Sequence, residues 1–526
     1  MNAASERILA YRSIADIPFQ QARLRPAKPA LVHEGGALTY AELDERCRRF
    51  ARFVATHAGH GARVAILLPN APELAIAYLG AIAAGAVAVP INSRLAPAEV
   101  GYILSDCGAS VLVTTAAQVE KLAPLREARG VASWVVVDAE LPGAIAFAAA
   151  LESAPLAAPA TAAPGDVACL LYTSGTTGFP KGAMISHANA LFNAGSCRRT
   201  LGYREDDVAL VTLPLFHVTA LHSQLVAFLA CGATLVLQRE YDTRQMLELA
   251  ERHRATALFL VPAVYKLITL RDDAHRFDLS RVRVAAYGGA PMAPETIEAL
   301  RHLLPGAALH NCYGLTECSS LATVMPASAV ESRPDSVGLP VPGTAVEVRD
   351  EAGQPLPPGE AGELYLKGPH VVQGYYGAPE KTAAAIRGGW LRTGDVASVD
   401  ADGFVHVLDR LKDMINRGGE KIFGLEVENV LYACPGVAEA AVVGAPHAVW
   451  GEVPVAFVAP FPGAAVDAEA LRGACAARLA DYKVPVAFRF VEKLPRNPGG
   501  KVLKAELRRA CVAPSDPAPA GAQPTT

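Results

Sequence analysis

Short runs rich in β-branched residues, RVAILLP (63–69), SVLVTT (110–115) and SWVVVD (133–138), alternate with alanine-rich helical stretches such as YAELDERCRRFARFVATH. A strand that is apolar along its whole length has no face to offer water and must be covered on both sides. The alternation therefore predicts an α/β fold with largely parallel, buried strands. The segment LAIAYLGAIAAGAVAVPIN from Leu74 fits the same pattern, because Gly80, Gly85 and Pro90 interrupt it and its small side chains suit close packing. It is read as a buried helix followed by a strand, not as a membrane span.

The 526 residues exceed one ordinary domain, so at least two folded units and a large core are expected. Hydrophobic residues make up 51% of the chain and charged residues 19%, a globular composition. The Pro/Ala stretch APLAAPATAAPGD ends at Asp166 and reads as a surface connection into the strand ACLLYTSG. From about residue 333 to 410, glycine and proline turns between short strands predict a small β barrel or sandwich. After DRLKDMINRGGEKI the pattern returns to helix (GLEVENVLYA) and strand (EAAVVGA, VPVAFVAPF), enough for a separate domain of about a hundred residues. The expected divisions are 1–411, 412–511 and a disordered proline-rich tail at 512–526.

A net charge of −4 leaves no excess of Lys or Arg for a nucleic-acid partner. The ten cysteines are scattered singly without a C-x-x-C pair, which favours reduced thiols over zinc sites or a disulfide framework. MNAASERILAYRS carries charges where a signal peptide needs an apolar stretch. A cytoplasmic protein without stable membrane insertion is expected, with a homodimer admissible.

The run YTSGTTGFPKG at 172–182 combines glycines, hydroxyls and a lysine, the ingredients of a phosphate cradle. It is not a P-loop: Pro180 stands where glycine is required and Gly182 where a Mg²⁺-binding hydroxyl should follow Lys181. Glycines permit close backbone approach to an anion, Thr173, Ser174, Thr176 and Thr177 can donate hydrogen bonds, and Lys181 supplies charge. A flexible linker has the same composition, so further segments decide. In HNCYGLTECSS, Glu317 beside Thr316 suits one Mg²⁺ otherwise held by phosphate and water. WLRTGDVA presents Asp395, DRLKDMINRGGEKI presents Arg410 and a double glycine, and LPRNPGGKVLK presents Lys501 on a glycine-rich tip.

Together and in this order, from about residue 15 to 510, these motifs resemble the adenylate-forming superfamily of acyl-CoA synthetases, 4-coumarate-CoA ligase, firefly luciferase and nonribosomal peptide adenylation domains. The resemblance implies a large N-terminal domain of two α/β sheets and a distorted β barrel, with a smaller mobile C-terminal α+β domain. It also implies ATP, Mg²⁺ and coenzyme A as the small molecules used. The loop Thr173, Ser174, Gly175, Thr176, Thr177, Gly178 and Lys181 would then grip the β- and γ-phosphates of ATP, which leave as pyrophosphate. Gly288, Gly289, Ala290 and Pro291, with Asn311, Cys312, Tyr313 and Gly314, correspond to the segments enclosing adenine, Tyr313 stacking on the base. Thr316 corresponds to the α-phosphate donor, Glu317 to the Mg²⁺ ligand, and Asp395 and Arg410 to the ribose contacts. Lys501 corresponds to the lysine that bonds carboxylate and α-phosphate in the adenylation transition state, Lys412 to the hinge, and Gly418 and Gly419 to the pantetheine tunnel. Asn416 stands where luciferase and plant coumarate ligases carry lysine, and Cys312 where glycine is commoner.

PLFHVTALHSQ aligns with the wall of the carboxylate pocket, so His217 is expected to gate and orient the acid beside Val218, Thr219, Ala220 and Leu221, with Gly288 nearby. Thr219 replaces the tyrosine common in coumarate ligases and opens that side. An uncharged wall suits a fatty or aryl acid and disfavours a dicarboxylate or an amino acid. The acceptor is coenzyme A, or alternatively the phosphopantetheine of an acyl carrier protein, which presents the same arm. A nonenzymatic nucleotide-binding relative is the remaining alternative, disfavoured by the intact Lys181, Glu317 and Lys501.

Overall fold

In the computed structural model, which describes residues 11–125, 130–173, 180–290, 292–496 and 502–512, the alternating strands and helices build two sheets that share a core. The strand Arg63–Leu67 shows how. Val64 and Ile66 project into one hydrophobic cluster while Ala65 and Leu67 project into another, the two-residue period of a strand buried on both faces. In Val208–Val211, Ala209 and Val211 face that same central cluster, and Leu210 faces a third on the opposite side. The central core is thus packed by one face of each sheet.

The first sheet has seven strands in the order Ile145–Ala146, Ser133–Val136, Ala109–Thr114, Arg63–Leu67, Val87–Pro90, Val167–Thr173 and Lys181–Ser186. All neighbours are parallel except the last two, which form an antiparallel hairpin. The second has nine strands, with Val284–Gly288 and Ala308–Tyr313 parallel neighbours towards one edge. Helix Tyr40–His57 begins with a Thr39–Glu42 capping box and buries Leu43, Cys47, Phe50 and Val54, a helical stripe. The apolar segment forms the buried helix Pro72–Ala83 and the strand Val87–Pro90. Among the described residues no helix is long and apolar enough to cross a membrane.

The chain divides into two compact units: one runs to Thr393 and includes Ala397–Val407, the other comprises Gly394–Val396 and everything from Leu408 onward. The division thus precedes the expected boundary after residue 411. It also moves three residues of the strand Trp390–Val399 into the second unit, where Gly394 O accepts from Leu411 N and Asp395 pairs with Arg410. In the region expected to form a barrel or sandwich, the strands Ala345–Arg349, Gly362–Lys367, Ile386–Arg387, Trp390–Val399 and Val405–Arg410 make one five-stranded sheet. Leu339–Pro340 departs from that expectation by pairing with Thr323–Val324 at the edge of the nine-stranded sheet. In the second unit the strands Val437–His447 and Gly451–Pro460 form a long hairpin within another five-stranded sheet, flanked by the helices Gly424–Tyr432, Ala468–Ala476 and Lys504–Val512. Residues beyond Val512, including the expected disordered tail, lie outside the described residues.

Candidate active site

The hairpin Val167–Thr173/Lys181–Ser186 sets Thr173 directly opposite Lys181. Ser174, Gly175, Thr176, Thr177 and Gly178, which connect them, lie outside the described residues, as do Pro291 and Lys501. Next to this hairpin end, the turn Thr316–Cys318 presents Glu317. Its carboxylate Oε1 accepts from the Tyr375 hydroxyl at 2.9 Å and lies 3.5 Å from the Thr173 hydroxyl. Lys181 Nζ sits 5.1 Å from the centre of the Tyr375 ring, a cation–π contact. The segment bearing Tyr375 is held from both sides: Tyr376 N donates to Gly182 O, and Val372 N donates to Glu317 O at 3.0 Å. Burial first, and then the charge of Glu317, push the Tyr375 phenol well above its ordinary pKa, so it stays neutral and donates. Both hydroxyl partners are neutral, leaving the carboxylate charge uncompensated by them and open to a cation.

Tyr375 was not found by the motif reading. Its signal in the sequence is a tyrosine pair between Gly374 and Gly377 in GYYGAP, a turn composition that does not reveal a partner far away in the chain.

Beyond the parallel ends of Val284–Gly288 and Ala308–Tyr313 lie the residues assigned to adenine. Such carboxyl ends of parallel strands are where α/β sheets take ligands. Gly288 lies opposite Cys312, and a Cβ there would overlap the Cys312 carbonyl oxygen. At Gly314 a Cβ would overlap the Ser320 carbonyl oxygen. Gly289 and Ala290 are exposed just past the strand end. Asn311 is buried and its Nδ2 donates to Ser336 O at 2.9 Å, so this amide holds the next segment in place. Cys312 is also buried, its thiol raised well above the ordinary range by desolvation. Tyr313 is half-buried and packs against the cluster of the five-stranded sheet.

The expected acid wall is an eight-residue π-helix, Thr219–Val226, preceded by His217. A π-helix is rare and recurs at functional sites. His217 is an exposed residue, yet desolvation by the surrounding protein and then the charge of Arg94 lower its pKa below the ordinary value. The imidazole is therefore neutral at pH 7. Val218 and Thr219 are half-buried. Ala220 and Leu221 have no accessible surface and belong to the central cluster, which corrects their expected place on the wall: the helix turns them inward, behind Val218 and Thr219. His222 is fully buried, with Nε2 3.0 Å from the Tyr78 hydroxyl.

In the second unit Arg410 Nε pairs with the buried carboxylate of Asp395 at 2.6 Å. Lys412 follows as an exposed residue whose carbonyl accepts from Arg508. Gly418 and Gly419 turn the hairpin between Ile415–Arg417 and Glu420–Ile422 with φ of +62° and +101°, a left-handed pair natural to glycine. Asn416 caps this turn, its Oδ1 accepting from Gly419 N at 2.8 Å. A Cβ on Gly418 would come within 2.8 Å of the half-exposed Trp450 ring.

Residues 18–376 match the model of the AMP-binding enzyme family, and residues 426–501 that of the AMP-binding enzyme C-terminal domain. The chain is 41% identical to a feruloyl-CoA synthase of an Amycolatopsis species, over 94% of this chain and 98% of the relative. It is 35% identical to a fatty acid–[acyl-carrier-protein] ligase, ScoC, of Streptomyces coeruleorubidus, over 93% and 94%. Among solved structures it resembles the anthranilate CoA ligase AuaEII in complex with anthranoyl-AMP, with a TM-score of 0.90 at 27% identity over 95% of this chain and 97% of that one. The chain therefore belongs to the AMP-binding enzyme family, the adenylate-forming acid–thiol ligases that activate a carboxylic acid as acyl-AMP and pass the acyl group to coenzyme A.

Proposed function

We propose that this enzyme activates an extended aryl acid of the cinnamate type, with the residue roles that the motifs imply. The observation that carries the reading is the convergence of Thr173, Lys181 and Tyr375 around Glu317 at the open end of the loop hairpin. Lys181 and the loop after Thr173 hold the β- and γ-phosphates, and Thr316 donates to the α-phosphate. Glu317 fits Mg²⁺, since it offers a partly exposed carboxylate among hydroxyls. When bound, the ion neutralises phosphate charge as the pyrophosphate leaves. Gly288, Gly289 and Tyr313 enclose the base, and the Asp395–Arg410 pair receives the ribose. Lys501 stabilises the charge that develops between carboxylate and α-phosphorus. His217, an exposed and neutral imidazole, orients the acid.

The similarity to a feruloyl-CoA synthase favours an aryl acid, and the uncharged Val218 and Thr219 support it. A second carboxylate beside them would be desolvated without a partner, at a cost of several kcal/mol. The test compares kcat/KM for substituted cinnamates and benzoates, medium-chain fatty acids and succinate, with coenzyme A and with a phosphopantetheinylated carrier protein as acceptor. Cinnamates with coenzyme A should lead. A fatty acid preference with the carrier protein would move the reading to the ScoC type. Thr219→Tyr should lower kcat/KM for the bulkiest good acid by about tenfold or more; an equal effect on every acid would remove Thr219 from the pocket.

Gly418 and Gly419 are assigned to the pantetheine path. Gly419→Leu should leave pyrophosphate exchange intact and collapse thioester formation. Gly419→Ala serves as the control, imposing the same backbone strain at φ +101° with little added bulk. If both variants lost exchange and transfer together, the turn would have a folding role only.

A further inference from the structure

Among the described residues, Arg254, Ser319 and Ser320 are the non-glycine residues with positive φ. Two of them are adjacent and directly follow the turn Thr316–Cys318. Ser319 sits at φ +58° and Ser320 at +119°, the latter a region that L-residues rarely enter. Such backbone persists only where its surroundings over-determine it.

Here the surroundings are a buried chain of polar groups. Asn193 Nδ2 donates to Ser223 Oγ at 3.2 Å, Ser223 donates to Ser320 Oγ at 2.7 Å, and Leu321 N donates to Asn193 Oδ1 at 3.1 Å. Four residues earlier on the helix His187–Leu201, and so on the same face, Asn189 Nδ2 donates to Pro369 O at 2.7 Å and Val371 O at 3.0 Å. That segment continues into Val372, whose N–H bonds Glu317 O, and Tyr375, whose hydroxyl bonds the Glu317 carboxylate. One helix face therefore grips both flanks of the turn that presents Thr316 and Glu317. Asn189, Asn193, Ser223 and Ser320 are all buried, and the bonds linking Asn193, Ser223, Ser320 and Leu321 N are shielded from bulk water, while those of Asn189 are partly so.

We infer that Asn189, Asn193 and Ser223 are positioning residues that hold the Thr316–Glu317 turn in its strained, adenylation-ready geometry. The inference rests on the proposed role of that turn. A misplacement near 1 Å at a reacting group costs as much as a hundredfold in rate. Ser223→Ala and Asn193→Leu are therefore expected to slow pyrophosphate exchange roughly tenfold to a hundredfold through kcat, with a smaller change in KM for the acid. Transfer of supplied acyl-AMP to coenzyme A should keep its rate. Ser223→Thr, which retains the hydroxyl, should restore exchange. Ser320→Gly accepts φ +119° without strain, so Ser223→Ala/Ser320→Gly should lose less than the sum of the single effects.

The measurements are both half-reactions, AMP affinity by calorimetry, and the unfolding temperature of each variant. Equal losses in both half-reactions, tracking a lowered unfolding temperature and not restored by Ser223→Thr, would overturn the inference in favour of a core polar network with a folding role. Glu317→Gln separates the two levels. If it impairs exchange while Ser223→Ala and Asn193→Leu do not, the positioning role falls and the site stands. If Glu317→Gln leaves exchange intact, the role of the turn falls and takes the inference with it.

Discussion

Replacing Glu317 with glutamine is expected to slow acyl-adenylate formation by roughly a hundredfold or more while leaving the transfer of supplied acyl-AMP to coenzyme A near its original rate. Glutamine has almost the same shape, and its amide oxygen still accepts from Tyr375 and Thr173, so the contacts at 2.9 and 3.5 Å have a replacement. What disappears is the negative charge. In the adenylation role proposed for this turn, that charge would face the cation that accompanies the phosphates. In the second half-reaction no pyrophosphate leaves, and the same charge has no comparable task. The unfolding temperature should stay unchanged because no buried group loses its partner. Pyrophosphate exchange, thioester formation from supplied acyl-AMP and thermal unfolding on one preparation test all three statements. A parallel fall of both half-reactions would remove Glu317 from the adenylation step.

The second large effect is expected at Gly314, where alanine should be more damaging than at any exposed glycine of a turn. One side of Gly314 is open, but the direction a Cβ would take is filled by the Ser320 carbonyl oxygen. Backbone cannot rotate away as a side chain can, so either the Tyr313–Gly314 strand end or the Ser319–Ser320 segment must shift. Overpacking of this kind costs on the order of 3 kcal/mol. The shift falls on the turn that holds Thr316 and Glu317, so adenylation should fall further than the loss of stability alone would cause. Thermal unfolding and AMP affinity are the measurements. A variant with unchanged unfolding temperature and unchanged affinity would show that the close approach of Gly314 to Ser320 is not required. Gly306→Ala makes a useful comparison, since Gly306 sits in an exposed turn without a left-handed φ and an added methyl group would meet only the Val282 carbonyl oxygen, at 4.0 Å.

Much of the fold was legible because it depends on local chain properties. Apolar runs such as RVAIL must be covered on both faces, and Val64, Ala65, Ile66 and Leu67 divide between two clusters as a two-residue period requires. The helix Tyr40–His57 coincides with its alanine-rich, amphipathic stretch because Thr39 and Glu42 cap it from within the same four residues. Less was legible where pairing is non-local. Leu339 and Pro340 sit among glycine and proline turns that resemble the strands after them, yet they pair with Thr323–Val324 on another sheet. Nothing in a two-residue strand specifies its partner.

The sequence by itself determined the kinds of group available: a hydroxyl- and glycine-rich loop ending in Lys181, a carboxylate at Glu317, an acid–base pair at Asp395 and Arg410, and a double glycine at 418–419. The tertiary structure alone decided which groups meet. Thr173 and Glu317 are 144 positions apart, and Tyr375 reaches the same carboxylate from 58 positions further on. It also decided that Ala220 and Leu221 face the core while Thr219 does not, because a π-helix rotates its side chains differently from an α-helix and no local composition announces it. The strain at Ser319 and Ser320 was equally hidden, since serine has no preference for positive φ. The asparagine and serine that bond to this segment, Asn193 and Ser223, stand far from it in the chain, and only packing in the central core brings them close.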